Sequence, residues 1–145
     1  MDEQKKKIDE IIKEGNSFLD RKLYDEAIEC YTEAINLDPN CTDAYFYRGN
    51  AYYDKGLYDK AIENYDKAIE LDPSYTYAYN NRGNAYRHKG LYDKAIENYD
   101  KAINLDPSYA KAYFNRGIAY ENKGFTITAL ENWSNFIRGA IKISW

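Results

Sequence analysis

The sequence predicts an all-α protein built from antiparallel helix hairpins, and three observations predict it. The first is a repeat: residues 57–75, LYDKAIENYDKAIELDPSY, return as residues 91–109, LYDKAIENYDKAINLDPSY, with Glu70 against Asn104 as the one exchange. The copies start 34 residues apart, and a fixed offset of that size marks a chain assembled from like supersecondary units. The second is periodicity. Ala61, Ile62, Tyr65, Ala68, Ile69 and Leu71 fall mostly three or four apart, which lays them along one stripe of a helix, whereas a strand would alternate. The third is punctuation: Lys-Gly at 55, 89 and 123 and Asp-Pro at 38, 72 and 106 stop helices in turn. Glycine accepts the positive φ of a helix end, and the residue before proline is pushed out of the helical region.

Four registers follow, residues 8–41, 42–75, 76–109 and 110–143, each a helix, a tight turn, a helix and a short link within one domain spanning 1–145. In the first, the charged start MDEQKKKIDEIIKEGN reads as a polar cap, and Lys22 stands where the others have glycine, so a looser or differently shaped inner turn is expected. The second and third are nearly identical. In all four, Gly15, Gly49, Gly83 and Gly117 share a column with large rings at Tyr31, Tyr65, Tyr99 and Trp133 in another. Small residues let helices approach and rings lock them, so this alternation is a packing code. Arg48, Arg82 and Arg116 form a polar column whose stems are expected to cover the core while the guanidinium reaches water or a carboxylate. The fourth register departs from the pattern: Thr126 replaces Tyr, Phe136 replaces Ala, Gly139 replaces Leu and Ile141 replaces Pro. No proline stops its second helix, and Ala129, Trp133, Phe136, Ile137, Ala140, Ile141 and Trp145 continue a stripe, which predicts one long helix to the C-terminus.

The pattern of Tyr45, Arg48, Gly49, Tyr52, Ala61, Tyr65 and Pro73, complete in the two middle registers and partial in the outer two, resembles the tetratricopeptide repeat (TPR) in four consecutive copies. That resemblance implies a right-handed superhelical solenoid whose first helices line a concave groove used to hold a peptide or partner segment. Counting helical positions inward puts Ile12, Lys13 and Asn16 in the groove from the first repeat, and Phe46, Tyr47, Asn50 and Asp54 from the second. The third supplies Tyr77, Asn80, Asn81, Asn84, Arg87 and His88, and the fourth Lys111, Phe114, Asn115, Ile118 and Asn122. Asparagine carries both donors and acceptors, so a row of them can hold the main chain of an extended peptide while rings supply apolar area. Some TPR domains grip a C-terminal carboxylate with two Lys, two Asn and one Arg. The matching slots here are Phe46, Asn50, Asn81, Lys111 and Asn115, three of which agree in type. Phe46 and Asn115 replace a Lys and the Arg, which removes charge-assisted bonds.

Composition narrows the rest. A formal charge of −4 and pI near 5.1 provide no field for nucleic acid, and Lys5, Lys6 and Lys7 are flanked by Asp2, Glu3, Asp9 and Glu10. No apolar run reaches the roughly 20 residues that span a bilayer, and the start lacks a signal-peptide core, so no membrane association and a cytoplasmic location are expected. Two cysteines and one histidine do not make a zinc pattern, no phosphate-cradling glycine motif occurs, and His88 has no nucleophile beside it in register. The expectation is a protein-binding scaffold, not an enzyme, without cofactor or metal. A rival reading has Trp133, Ile137, Ile141 and Trp145 joining two copies of the chain through the last helix. A third is a consensus-like engineered repeat with no natural ligand.

Overall fold

Eight helices follow one another among the described residues: α1 (Glu3–Asp20), α2 (Tyr24–Leu37), α3 (Thr42–Asp54), α4 (Tyr58–Leu71), α5 (Thr76–His88), α6 (Tyr92–Leu105), α7 (Ala110–Asn122) and α8 (Thr126–Ile143). The computed structural model describes residues 2–143, and the side chains of all of these except Thr126 and residues 141–143. Each register holds one hairpin. Asp38, Asp72 and Asp106 leave the helix for extended backbone before their prolines, each still donating its N–H to the alanine carbonyl four residues back. Asp38 and Asp106 then accept bonds from the backbone of Asn40 and Ser108, which fixes the link to the next hairpin.

Gly56, Gly90 and Gly124 take φ of +80°, +78° and +87°, and the following residue donates its N–H back to the carbonyl five positions earlier, as in Leu57 to Tyr52 at 2.9 Å. The looser or differently shaped turn expected at Lys22 does not occur. Lys22 adopts φ +61° and the same closure forms, Leu23 to Phe18 at 2.9 Å. The helices on either side dictate the turn, and the lysine accepts a left-handed conformation that costs its Cβ about 1 kcal/mol.

The glycine column does what the packing code requires. A Cβ built on Gly15, Gly49 or Gly83 would lie 2.7 Å from the ring of Tyr31, Tyr65 or Tyr99, and one on Gly117 would lie 2.6 Å from Trp133. The three tyrosines are the largest fully buried side chains. Two compact units result, Met1–Pro73 and Ser74–Trp145. In the first, α1 pairs with α2 and α3 with α4, and α2 packs on α3 while α1 touches α3. In the second, α5 pairs with α6 and α7 with α8, and α6 packs on α7 while α5 touches α7. The last helix continues to Ile143 and is longer than α2, α4 and α6, while the end of the stretch expected to be helical, residues 144–145, lies outside the described residues.

Candidate functional site

The groove residues read from the sequence divide between the two units. In the first, Tyr47 lies flat on Tyr31 with ring centroids 5.9 Å apart, and Phe46 meets Tyr47 edge-on and leans on Tyr65. Phe46 and Ile12 are both buried, so their rings and methyls serve the core more than a surface. Asn16 and Asn50 remain half-buried, and each accepts a 2.6 Å bond from the hydroxyl of the tyrosine fifteen residues on, Tyr31 or Tyr65. A buried tyrosine needs such an acceptor, and the amide oxygen supplies it.

The second unit gathers most of the candidates on one face of α5 and α7. Tyr77 is 56% exposed on α5 and Phe114 41% exposed on α7, with Lys111 also exposed. Between these helices runs a chain of amides: Asn115 donates to Asn80 at 3.0 Å, and Asn80 donates to Asn81 at 3.2 Å. Asn80 is buried by this arrangement, so it joins the helices and presents no side-chain surface, whereas Asn81 and Asn115 stay half-exposed. Tyr99 donates to Asn84 at 2.6 Å and accepts from Arg87 at 3.4 Å, which uses the oxygen of Asn84 and leaves its NH2 group as a donor. The face therefore offers two rings, amide donors and two cations. Tyr77 meets Tyr109 edge-on at 5.3 Å, and burial together with Tyr77 pushes the Tyr109 phenol up to about 12, so it stays neutral. Partial burial and the neighbouring Arg87 hold His88 below the usual histidine range.

In both units the arginine column pairs with an asparagine column that the sequence reading did not single out. Arg48, Arg82 and Arg116 donate through Nε to Asn64, Asn98 and Asn132 at 2.6–2.7 Å. Those buried asparagines pass the bond on to a helix carbonyl four residues back, at Lys60, Lys94 and Thr128, each at 2.8 Å. Each guanidinium also stacks on the tyrosine three residues before it, Tyr45, Tyr79 or Tyr113. A second nitrogen reaches the preceding hairpin, from Arg48 to the Thr32 hydroxyl at 3.1 Å and from Arg116 to the Asp100 carboxylate at 2.7 Å. Arg48 and Arg116 are thus staples between hairpins within their own units. The signal was present in the sequence as an Asn column sixteen residues after the Arg column; in the first repeat the same two positions hold Glu14 and Cys30.

Trp133 takes the tyrosine's place against Gly117, and its Nε1 is buried with no acceptor among the described residues. Ile118 occupies the position where Asn16, Asn50 and Asn84 accept from tyrosine, so the fourth repeat has lost both halves of that pair. Ile137 is exposed. The side chains of Ile141 and Trp145, also read as self-association residues, lie outside the described residues.

A TPR repeat model matches residues 15–56, 49–90 and 83–124. The chain belongs to the tetratricopeptide repeat family. A crystal structure of MamA is similar to this TPR chain at 31% identity, covering 94% of it and 80% of the MamA chain, with a TM-score of 0.85. The first TPR of Spaghetti (RPAP3), bound to the HSP90 peptide SRMEEVD, is similar at 27% identity over 82% of this chain and 94% of its own, with a TM-score of 0.78. MamA residues 41 to the end from Desulfovibrio magneticus RS-1 share the TPR fold at 22% identity, 93% and 76% coverage and a TM-score of 0.83. No curated protein matches. The TPR fold is that of a protein-interaction scaffold. Among the described residues no cluster of His, Cys, Asp and Glu is suited to a metal, and no helix is long and apolar enough to cross a membrane.

Proposed function

We propose that this chain is a non-catalytic, cytoplasmic binding module that holds an extended segment of a partner protein along the α5–α7 face. The observation that carries this reading is the pairing of two exposed rings, Tyr77 and Phe114, with the amides of Asn81, Asn84 and Asn115 on one surface. Rings of this exposure gain by covering side chains, and the amides provide bonds to a peptide main chain without reading its sequence. Arg87 and Lys111 favour a segment with acidic character. The TPR of Spaghetti, whose structure holds a peptide, supports the same use of the fold. Main-chain capture is favoured over grip of a terminal carboxylate because Phe46 is buried and Asn115 is engaged with Asn80.

The test is selection of displayed peptides on the full chain, followed by calorimetric titration of the recovered peptide. Tyr77→Ala, Asn84→Ala and Lys111→Ala are each expected to weaken binding about ten-fold, in the range of interface anchors. Amidating the peptide's C-terminus should change little. Affinity unmoved by all three substitutions would place binding elsewhere and defeat the reading.

A further inference from the structure

The outer face of α8 carries Ile127, Leu130 and Ile137 at 76%, 56% and 54% exposure. One period earlier, Ile96 and Ile103 hold the positions of Leu130 and Ile137 on α6, which packs on α7, and they are only 8% and 9% exposed. The α8 stripe is therefore the surface with which a second helix of this chain binds a neighbouring helix, and among the described residues no helix covers it. Its charges are also distinctive. Arg138 stands where the other repeats have Asn36, Glu70 and Asn104, and Ser134 stands where they have Thr32, Asp66 and Asp100. Glu131 and Arg138 are exposed, and neither has an ion-pair partner among the described residues.

These residues are self-complementary about Ser134. At 100° and about 1.5 Å per residue, Leu130 and Ile137 fall on one flank of Ser134, while Glu131 and Arg138 fall on the other. We infer that two copies of this chain pair through α8 in antiparallel fashion, with a two-fold axis at Ser134. That axis sets Leu130 on the partner's Ile137 and Glu131 on the partner's Arg138, each matched along the axis to within about one residue's rise, and each contact occurs twice. A parallel pairing would instead set Glu131 against Leu130 of the other copy and Arg138 against its Ile137, burying both charges on apolar side chains. Serine at the crossing lets the helices approach, and it avoids the two carboxylates that the aspartate of Asp66 or Asp100 would bring together there.

Sedimentation equilibrium of the full chain tests the pairing. The wild type is expected to be a reversible dimer. Glu131→Arg should weaken it roughly ten-fold, because two contacts turn repulsive at once, and adding Arg138→Glu should restore it to within about three-fold. Circular dichroism confirms that the helices persist, since both positions are exposed. Independently, Ser134→Cys should form a disulfide between copies on oxidation, joining 134 to 134. A wild type that stays monomeric from micromolar to millimolar overturns the inference. So does a double reversal as weak as the single one, or a crosslink that runs through Cys30 or Cys41 instead.

Discussion

At the scale of single residues, stability rests on contacts repeated in register. Gly83 is tightly enclosed: a Cβ there would meet Tyr99 at 2.7 and 3.0 Å and the Ala95 carbonyl at 3.1 Å. Gly83→Ala should therefore lower stability by about 1–3 kcal/mol, although alanine is the better helix former. Urea denaturation reads the change as a lower midpoint. Lys22 presents the opposite case, a residue with a Cβ where its three counterparts are glycine. Lys22→Gly should raise stability by about 0.5–1 kcal/mol, the relief of left-handed strain less glycine's greater freedom when unfolded. An unchanged or lower midpoint would show that the lysine is at ease in that turn.

At the scale of the helix, the fourth hairpin is where the shared plan changes. In three hairpins the buried tyrosine donates to the asparagine of the first helix at 2.6 Å. In the α7–α8 hairpin, Trp133 and Ile118 replace both, and the indole N–H is left buried without an acceptor among the described residues. Restoring the pair with Ile118→Asn and Trp133→Tyr should yield a coupling of about 1 kcal/mol in a double-mutant cycle, the net worth of one hydrogen bond. Additive effects would mean that α7 and α8 meet in a geometry that the pair cannot use. The same helix carries the exposed stripe on its other side, so the departures from the repeat inside and outside the hairpin fall on one element.

At the scale of the whole molecule, pH dependence follows from groups kept neutral by the fold. Burial, then Glu14, pushes the Cys30 thiol up; burial also pushes up Cys41, opposed in part by the Ala44 backbone bond; and Tyr109 stands at about 12. Each group is an acid whose folded value exceeds its unfolded one. Their contribution is therefore complete below the unfolded thiol value of about 8.5 and is lost as pH rises through the folded values. Urea midpoints should fall between pH 8 and 10, and a Cys30→Ala, Cys41→Ala variant should show a shallower decline. An identical slope in that variant would remove the thiols from the account.

The sequence by itself determined the helices, their ends and the family. Those features are local or strictly periodic: a glycine at positive φ, a proline that stops a helix and a ring opposite a glycine are each written in a few neighbouring residues and repeated every 34. The residues of the candidate face were also legible as the inward positions of α5 and α7. Tertiary structure decided which of their polar groups remain available. Asn80 and Asn81 are adjacent in sequence, but a step of about 100° around the helix buries the first between α5 and α7 and leaves the second half-exposed. The oxygen of Asn84 is taken by Tyr99, and Asn64, Asn98 and Asn132 answer arginines sixteen residues back. Periodicity says which residues share a position; only packing brings a donor within about 3 Å of an acceptor and so decides whether an amide binds its own chain or another.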